Sequence, residues 1–258
     1  RKYSYDFNSL IEGFESFIFV SDKVTFKGSH VRDSIDLKRT MTVVIIALIP
    51  ALLFGAYNVG LQHFRSIGTE PGTFQMFWFG FLKILPLIII SYPAGLGIEF
   101  IVAQIRGHEI NEGFLVSGLL IPLVMPVDIP LWMLALATAF AVIIGKEVFG
   151  GTGMNVFNPA LMARAFLFFS YPGWMTGDKV WIEGLSKGQN IVDGFSGATP
   201  LALCAAGETT KIPSFMDMFI GTIPGSIGET STLAILLGAV ILIATGIGSW
   251  KIIVSVFA

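Results

Sequence analysis

Two apolar runs, 41–61 and 76–102, are long enough to cross a lipid hydrocarbon core, and the apolar runs that follow them are not. About twenty helical residues at 1.5 Å each cover a core of roughly 30 Å. The runs 113–125, 131–145 and 159–170 are shorter, and proline and glycine cut them off. Inside lipid an unpartnered backbone N–H or C=O is costly. Short, broken apolar segments therefore persist only where protein covers the freed groups or a cavity is wet, and such places are often binding sites. The pattern restricts the fold to an all-α polytopic membrane protein with broken or half helices. Composition points the same way: 53% of the 258 residues are hydrophobic and 13% charged, against about 25% charged in soluble domains, and mean hydropathy is +0.75.

Order and charge give a topology. Residues 1–39 hold seven of the sixteen lysines and arginines, which places the N-terminus in the cytoplasm. Pro50 predicts a kink in the first span, Pro86 and Pro93 interrupt the second, and Lys83 snorkels from just inside its outer end. Counting crossings puts the polar interval 171–231 on the external, periplasmic face. Four regions follow: a cytoplasmic segment 1–39, with a possible amphipathic helix over 9–20; helices and half helices over 40–170; an external loop 171–232; and a last helix with the start of the next over 233–258. No signal-peptide core precedes the first span. The chain begins without Met and stops inside an apolar run, so it reads as a piece of a longer protein. A net charge of -2 offers nothing to nucleic acid. The single Cys204 excludes an internal disulfide and is expected as a small packed residue.

Chemistry concentrates in two stretches. In Asp193-Gly-Phe-Ser-Gly-Ala-Thr-Pro, Ser196, Gly197 and Ala198 leave the Thr199 hydroxyl without bulky neighbours, Asp193-Gly194 signals a turn, and Pro200 stiffens the exit. In Gly145-Lys-Glu-Val-Phe-Gly-Gly-Thr-Gly-Met-Asn the glycines do not have dinucleotide or phosphate-loop spacing. Gly150 and Gly151 at a helix break instead allow close approach to a flat ring or to a neighbouring helix. Among the charges, Glu147 beside Lys146 is either an interfacial ion pair of little consequence or a step on an ion path. Arg164, inside an apolar run, needs a carbonyl, a carboxylate or a flavin phosphate. Asp128 is expected as a solvating loop-end charge. Glu229 suits the N-terminus of the last helix, and Glu99 lies near the end of the second span.

The Thr199 stretch resembles the flavinylation motif on which FMN is esterified to the last threonine. Lys38-Arg-Thr-Met, the run 47–60, 149–161 and Ile223-Pro-Gly-Ser-Ile-Gly-Glu-Thr-Ser resemble the B subunit of sodium-translocating NADH:quinone oxidoreductases across nearly the whole chain. The resemblance implies a urea-transporter-like inverted repeat, of which this chain supplies the first half and the start of the second. It implies covalent FMN at Thr199, with Asp193, Ser196, Gly197, Ala198 and Pro200 around it, a noncovalent riboflavin, ubiquinone near Gly150 and Gly151, and Na+ as the exported ion. Implied partners are a second flavinylated subunit, an NADH-oxidising subunit, a flavin transferase and the lipid of a bacterial inner membrane. The D subunit of Rnf-type ferredoxin:NAD oxidoreductases is similar in the second half, and a flavin-free channel of urea-transporter type is the reading from a different class. The chain is not expected to be active alone, for it lacks an NADH-binding domain and iron-sulfur ligands.

Overall fold

A computed structural model describes residue 28 and residues 37–69, 71–106, 113–188 and 195–257. The proposed surface helix over 9–20 and Asp193 lie outside the described residues. Within them the regular structure is helical, with no strand, as the apolar pattern requires.

Helix α1 (Leu37–Ser66) and helix α2 (Thr73–Arg106) form a long packed pair. At 1.5 Å per residue each exceeds the roughly 30 Å of a hydrocarbon core. The expected interruption of the second span is corrected: α2 runs unbroken through Pro86 and Pro93, as α1 does through Pro50. Membrane helices tolerate proline because neighbouring groups re-satisfy the freed backbone. A buried stripe runs down α2 through Met76, Gly80, Ile84, Leu87, Ser91, Gly95, Glu99 and Ala103, spaced by three or four residues. At its upper part the carbonyl of Ala56 occupies the place a Cβ on Gly80 would take, so α1 and α2 meet backbone to backbone. Phe74, Trp78, Ile89, Ile101 and Ile105 point away from the protein, an apolar surface suited to lipid.

Helix α3 (Phe114–Leu123) is only ten residues long, and a turning link carries the chain into α4 (Leu131–Gly145). Expected as a short run, α4 continues through a 3-10 turn (Glu147–Phe149), and Leu131–Phe149 is a nineteen-residue candidate span. Helix α5 (Pro159–Ser170) starts on Asn158, whose side-chain oxygen accepts from the Ala160 N–H at 2.9 Å. The fully buried Leu87, Phe114, Ile121, Met125, Leu134 and Leu167 form the core between α2, α3, α4 and α5.

After α6 (Pro172–Met175) the chain makes a loop over 176–188, then short helices α7 (Pro200–Ala205) and α8 (Phe215–Ile220), then α9 (Thr232–Ala244) and α10 (Trp250–Phe257). Between α8 and α9 the backbone is not helical, and its partners come from elsewhere. The Ile227 and Gly228 N–H groups donate to the carbonyls of Met125 (3.3 Å) and Leu123 (2.7 Å) at the end of α3. Asn58 donates to the Ile223 carbonyl at 2.9 Å and to the Thr230 hydroxyl at 3.3 Å, and Gln62 donates to the Thr222 carbonyl at 3.0 Å. Broken segments here cover one another's backbone, the condition that lipid imposes.

Candidate functional sites at two ends of a helix seam

Helices α2 and α4 pack side by side and run in the same direction. At one end Lys83 of α2 and Asp128, just before α4, both bind the loop 176–188; at the other end Glu99 of α2 pairs with Lys146 just after α4. Sixteen residues of α2 separate Lys83 from Glu99, about 24 Å. The two stretches singled out in the sequence fall at these opposite ends.

At the first end, Ser196 is exposed, Gly197 is buried, and Ala198, Thr199 and Pro200 are half-buried. Thr199 is the N-cap of α7: its Oγ1 accepts from the Ala202 N–H at 3.2 Å, and Ser196 Oγ accepts from the Ala198 N–H at 3.2 Å. Gly197 lies against the loop 176–188, where the Asp178 carbonyl takes the space of a Cβ, and the Ile182 side chain comes within 3.1 Å of that position. Only glycine fits that approach. Cys204, expected to be packed, is exposed on α7, because this six-residue helix buries none of its side chains.

The expectation for Asp128 is also corrected. Its carboxylate is buried and accepts the Gly184 N–H at 3.0 Å, the Ser186 hydroxyl, and the Lys187 ammonium at 2.9 Å. The Asp128 carboxylate, as hydrogen-bond partner, holds the Lys187 ammonium above the usual lysine range. Glu183 receives Lys83 at 2.8 Å, and its backbone carbonyl lies 3.0 Å from His63 Nδ1.

At the other end Gly150 and Gly151 take φ of 118° and 95°, a region that favours glycine. Their N–H groups donate to the carbonyls of Glu147 and Lys146, both at 3.1 Å, which turns the chain back over the Glu147 side chain. Glu147, Lys146 and Glu99 are all buried, so the expectation of a weak interfacial pair is corrected: Lys146 reaches across to Glu99 on α2. Around the glycines Val148, Met154, Val156 and Phe157 are exposed, and the Phe149 and Phe157 rings meet edge to face at 6.0 Å. Gly150 is exposed with the Met154 side chain beside it and Gly151 is buried over Glu147, so the turn brings bare backbone next to an open apolar surface, which suits a flat, lipid-soluble ring.

Arg164 finds a carboxylate, the second of its three expected partner types. It donates to Glu229, which also accepts from Ser226, and so ties α5 to the broken segment before α9. Thus Ser196–Pro200 lie together at one end of the seam, Glu147, Gly150 and Gly151 lie together at the other, and Arg164 is paired with Glu229. Sequence reading missed Glu99 as a partner, and Asp128 with Glu183 as anchors. The four-residue spacing of Leu87, Ser91, Gly95 and Glu99 was the available signal for Glu99; for the anchors there was little, since apart from Lys187, four residues after Glu183, their partners are 56 to 120 positions away.

Residues 24–258 match the model of the NQR2, RnfD, RnfE family. The chain is 42% identical, over 97% of its length, to the Na(+)-translocating NADH-quinone reductase B subunit of Chromohalobacter salexigens. It is 43% identical over 95% of its length to the protein of that name from Ectopseudomonas mendocina, and 41% identical over 96% to that of Neisseria meningitidis serogroup B. It spans 65%, 66% and 67% of these relatives' lengths, respectively. With its broken apolar helices, its Thr199 segment and its glycine turn, the chain belongs to the NQR2, RnfD, RnfE family.

Proposed function

We propose that the chain is the flavin-carrying membrane part of a sodium-translocating NADH:quinone reductase, in which electrons reach FMN esterified to Thr199, pass through a noncovalent riboflavin, and end on ubiquinone near Gly150 and Gly151, with Na+ export coupled to the transfer. The observation that carries this reading is the setting of Thr199. Its hydroxyl stands on a loop, flanked by Ser196, Gly197 and Ala198, and bonded only to the Ala202 N–H among described residues. The fit to a phosphoester is good: an ester oxygen retains a lone pair for Ala202, so attachment keeps the helix cap.

FMN and riboflavin, when bound, supply reversible one- and two-electron chemistry. The chain's own residues do the rest. Gly197 keeps the segment tight against the loop beneath it, and Pro200 fixes the turn into α7. Asp193 and Ser196 serve recognition by a flavin transferase, which supplies the activation that a free hydroxyl lacks. At the far end the glycine turn leaves room for the quinone ring, the exposed apolar side chains receive its tail, and the Glu147 carboxylate beneath the turn lies on the Na+ route. The Thr199 loop then faces the periplasm and the glycine turn the cytoplasm of a bacterial inner membrane. Partners in the assembly are a second flavinylated subunit and an NADH-oxidising subunit.

The test is denaturing electrophoresis of the protein co-produced with its flavin transferase. Yellow-green fluorescence in the wild type and none in Thr199→Val is the expected outcome. A dark wild-type band beside an active transferase overturns the reading and favours a flavin-free transporter.

A further inference from the structure

The chain after Thr199 is held loosely. Neither α7, nor the 3-10 turn Thr209–Lys211, nor α8 buries a single side chain, and Leu201, Phe215 and Met216 lie largely exposed. Two residues before it, Gly197 is buried tightly against Asp178 and Ile182. What fixes Thr199 in space is therefore whatever fixes the loop 176–188.

That loop is anchored to three separate elements. Asp128, from the α3–α4 link, collects three donors from it: the Gly184 N–H, the Ser186 hydroxyl and the Lys187 ammonium. Glu183 reaches Lys83 on α2 at 2.8 Å, lies 3.8 Å from Lys187, and places Oε2 3.6 Å from Nδ1 of His63 on α1. His63 is itself stacked on Phe79, centroids 4.3 Å apart. Val180, Ile182 and Leu185 are buried underneath. Apolar burial alone would hold such a loop near the protein; it is non-directional and leaves the loop free to slide. Charged groups with fixed donors set its height and orientation, at the cost of desolvating two carboxylates.

We propose that Asp128 and Glu183 are positioning residues for the flavin on Thr199: through the loop 176–188 and Gly197 they set where the attachment point stands relative to the ends of α1 and α2. The proposal rests on the reading of Thr199 as the flavin site. Neither residue touches the threonine; both act through the backbone of the loop.

The test uses the complete membrane complex carrying its covalent flavin. Asp128→Asn and Glu183→Gln keep side-chain shape and remove the charge. Covalent flavin content is expected to stay at the wild-type level, while time-resolved anisotropy of the flavin falls and its midpoint potential shifts. Asp128→Glu, which keeps the charge, is expected to restore part of both. Unchanged anisotropy and potential in variants with full flavin content overturn the proposal. If Asp128→Asn does not assemble, Ser186→Ala combined with Lys187→Met removes two of the three donors from the loop side and is read the same way. A wild-type complex without denaturation-resistant flavin overturns the Thr199 reading and this proposal with it, whereas flavin present and insensitive to all these variants overturns this proposal alone.

Discussion

At one end of the α2–α4 seam Lys146 and Glu99 side chains are each 4% exposed; at the other, Lys187 is 60% exposed above an Asp128 carboxylate that is 1% exposed. Both clusters consist of two carboxylates with lysine. In the first, the cation is sealed between two helices with its partner, and neither group can turn to water. In the second, the carboxylates are buried and the lysines reach them from solvent. A sealed pair is held by what its loss would leave behind, an uncompensated buried charge, while the buried Asp128 keeps the Gly184 N–H and the Ser186 hydroxyl when its lysine is removed, so that loss is partly compensated. The difference suits the two ends: one joins helices permanently, the other fastens a loop.

The comparison breaks first at Lys146. Lys146→Met leaves Glu99 buried without its ammonium and is expected to destabilise the protein by about 3–5 kcal/mol, whereas Lys146→Met with Glu99→Leu recovers most of that loss. Thermal denaturation of the detergent-solubilised protein measures both, and equal stabilities of single and double variants would show that the pair is not sealed. Asn58 gives the next effect. Asn58→Leu strips the Ile223 carbonyl and the Thr230 hydroxyl of a donor in a covered place, at about 1–3 kcal/mol. The same melt reads it, with faster exchange expected at the Ile227 and Gly228 amides.

Lys187→Met sharpens the contrast, with a cost of about 1–2 kcal/mol, below that at Lys146, because Asp128 keeps the Gly184 and Ser186 donors. Exchange of the Gly184 amide is the measure, and a large acceleration would mean that the lysine carries the loop. The smallest effect is expected from pH. The Lys187 pKa is raised, first by its hydrogen bond to Asp128, with burial working the other way. A raised lysine contributes stability that is fully present below its unfolded pKa and is lost as pH rises through the folded one. Gly184 exchange, corrected for its intrinsic pH dependence, should therefore stay flat across neutral pH and loosen only above the ordinary lysine range.

Much of this arrangement was legible in the chain. The long spans and the half helices came from run length and from proline and glycine, since in lipid the backbone must be satisfied locally or covered by a neighbour. That small residues surround Thr199 and that the glycines at 150–151 stand at a helix break could be read from the residues themselves. The continuity of α2 through Pro86 and Pro93 could not, because tolerance of proline depends on neighbouring packing. The extension of α4 into Glu147–Phe149 was hidden by charge at Lys146 and Glu147, residues that look terminal until Glu99 is seen to meet the first of them.

By itself the sequence determined that the chain is helical, lies in membrane, and sets Thr199 among small residues in its longest polar interval, because hydropathy, helix length and local sterics act within a few residues. The tertiary structure alone decided which charge meets which: Glu99 with Lys146, Arg164 with Glu229, Asp128 and Glu183 with the loop beneath Thr199. Ion pairs and backbone covers join groups from 47 to 165 positions apart, and no local preference encodes a partner at that range. They form because low dielectric makes an uncovered polar group costly, so the fold settles where each one is covered.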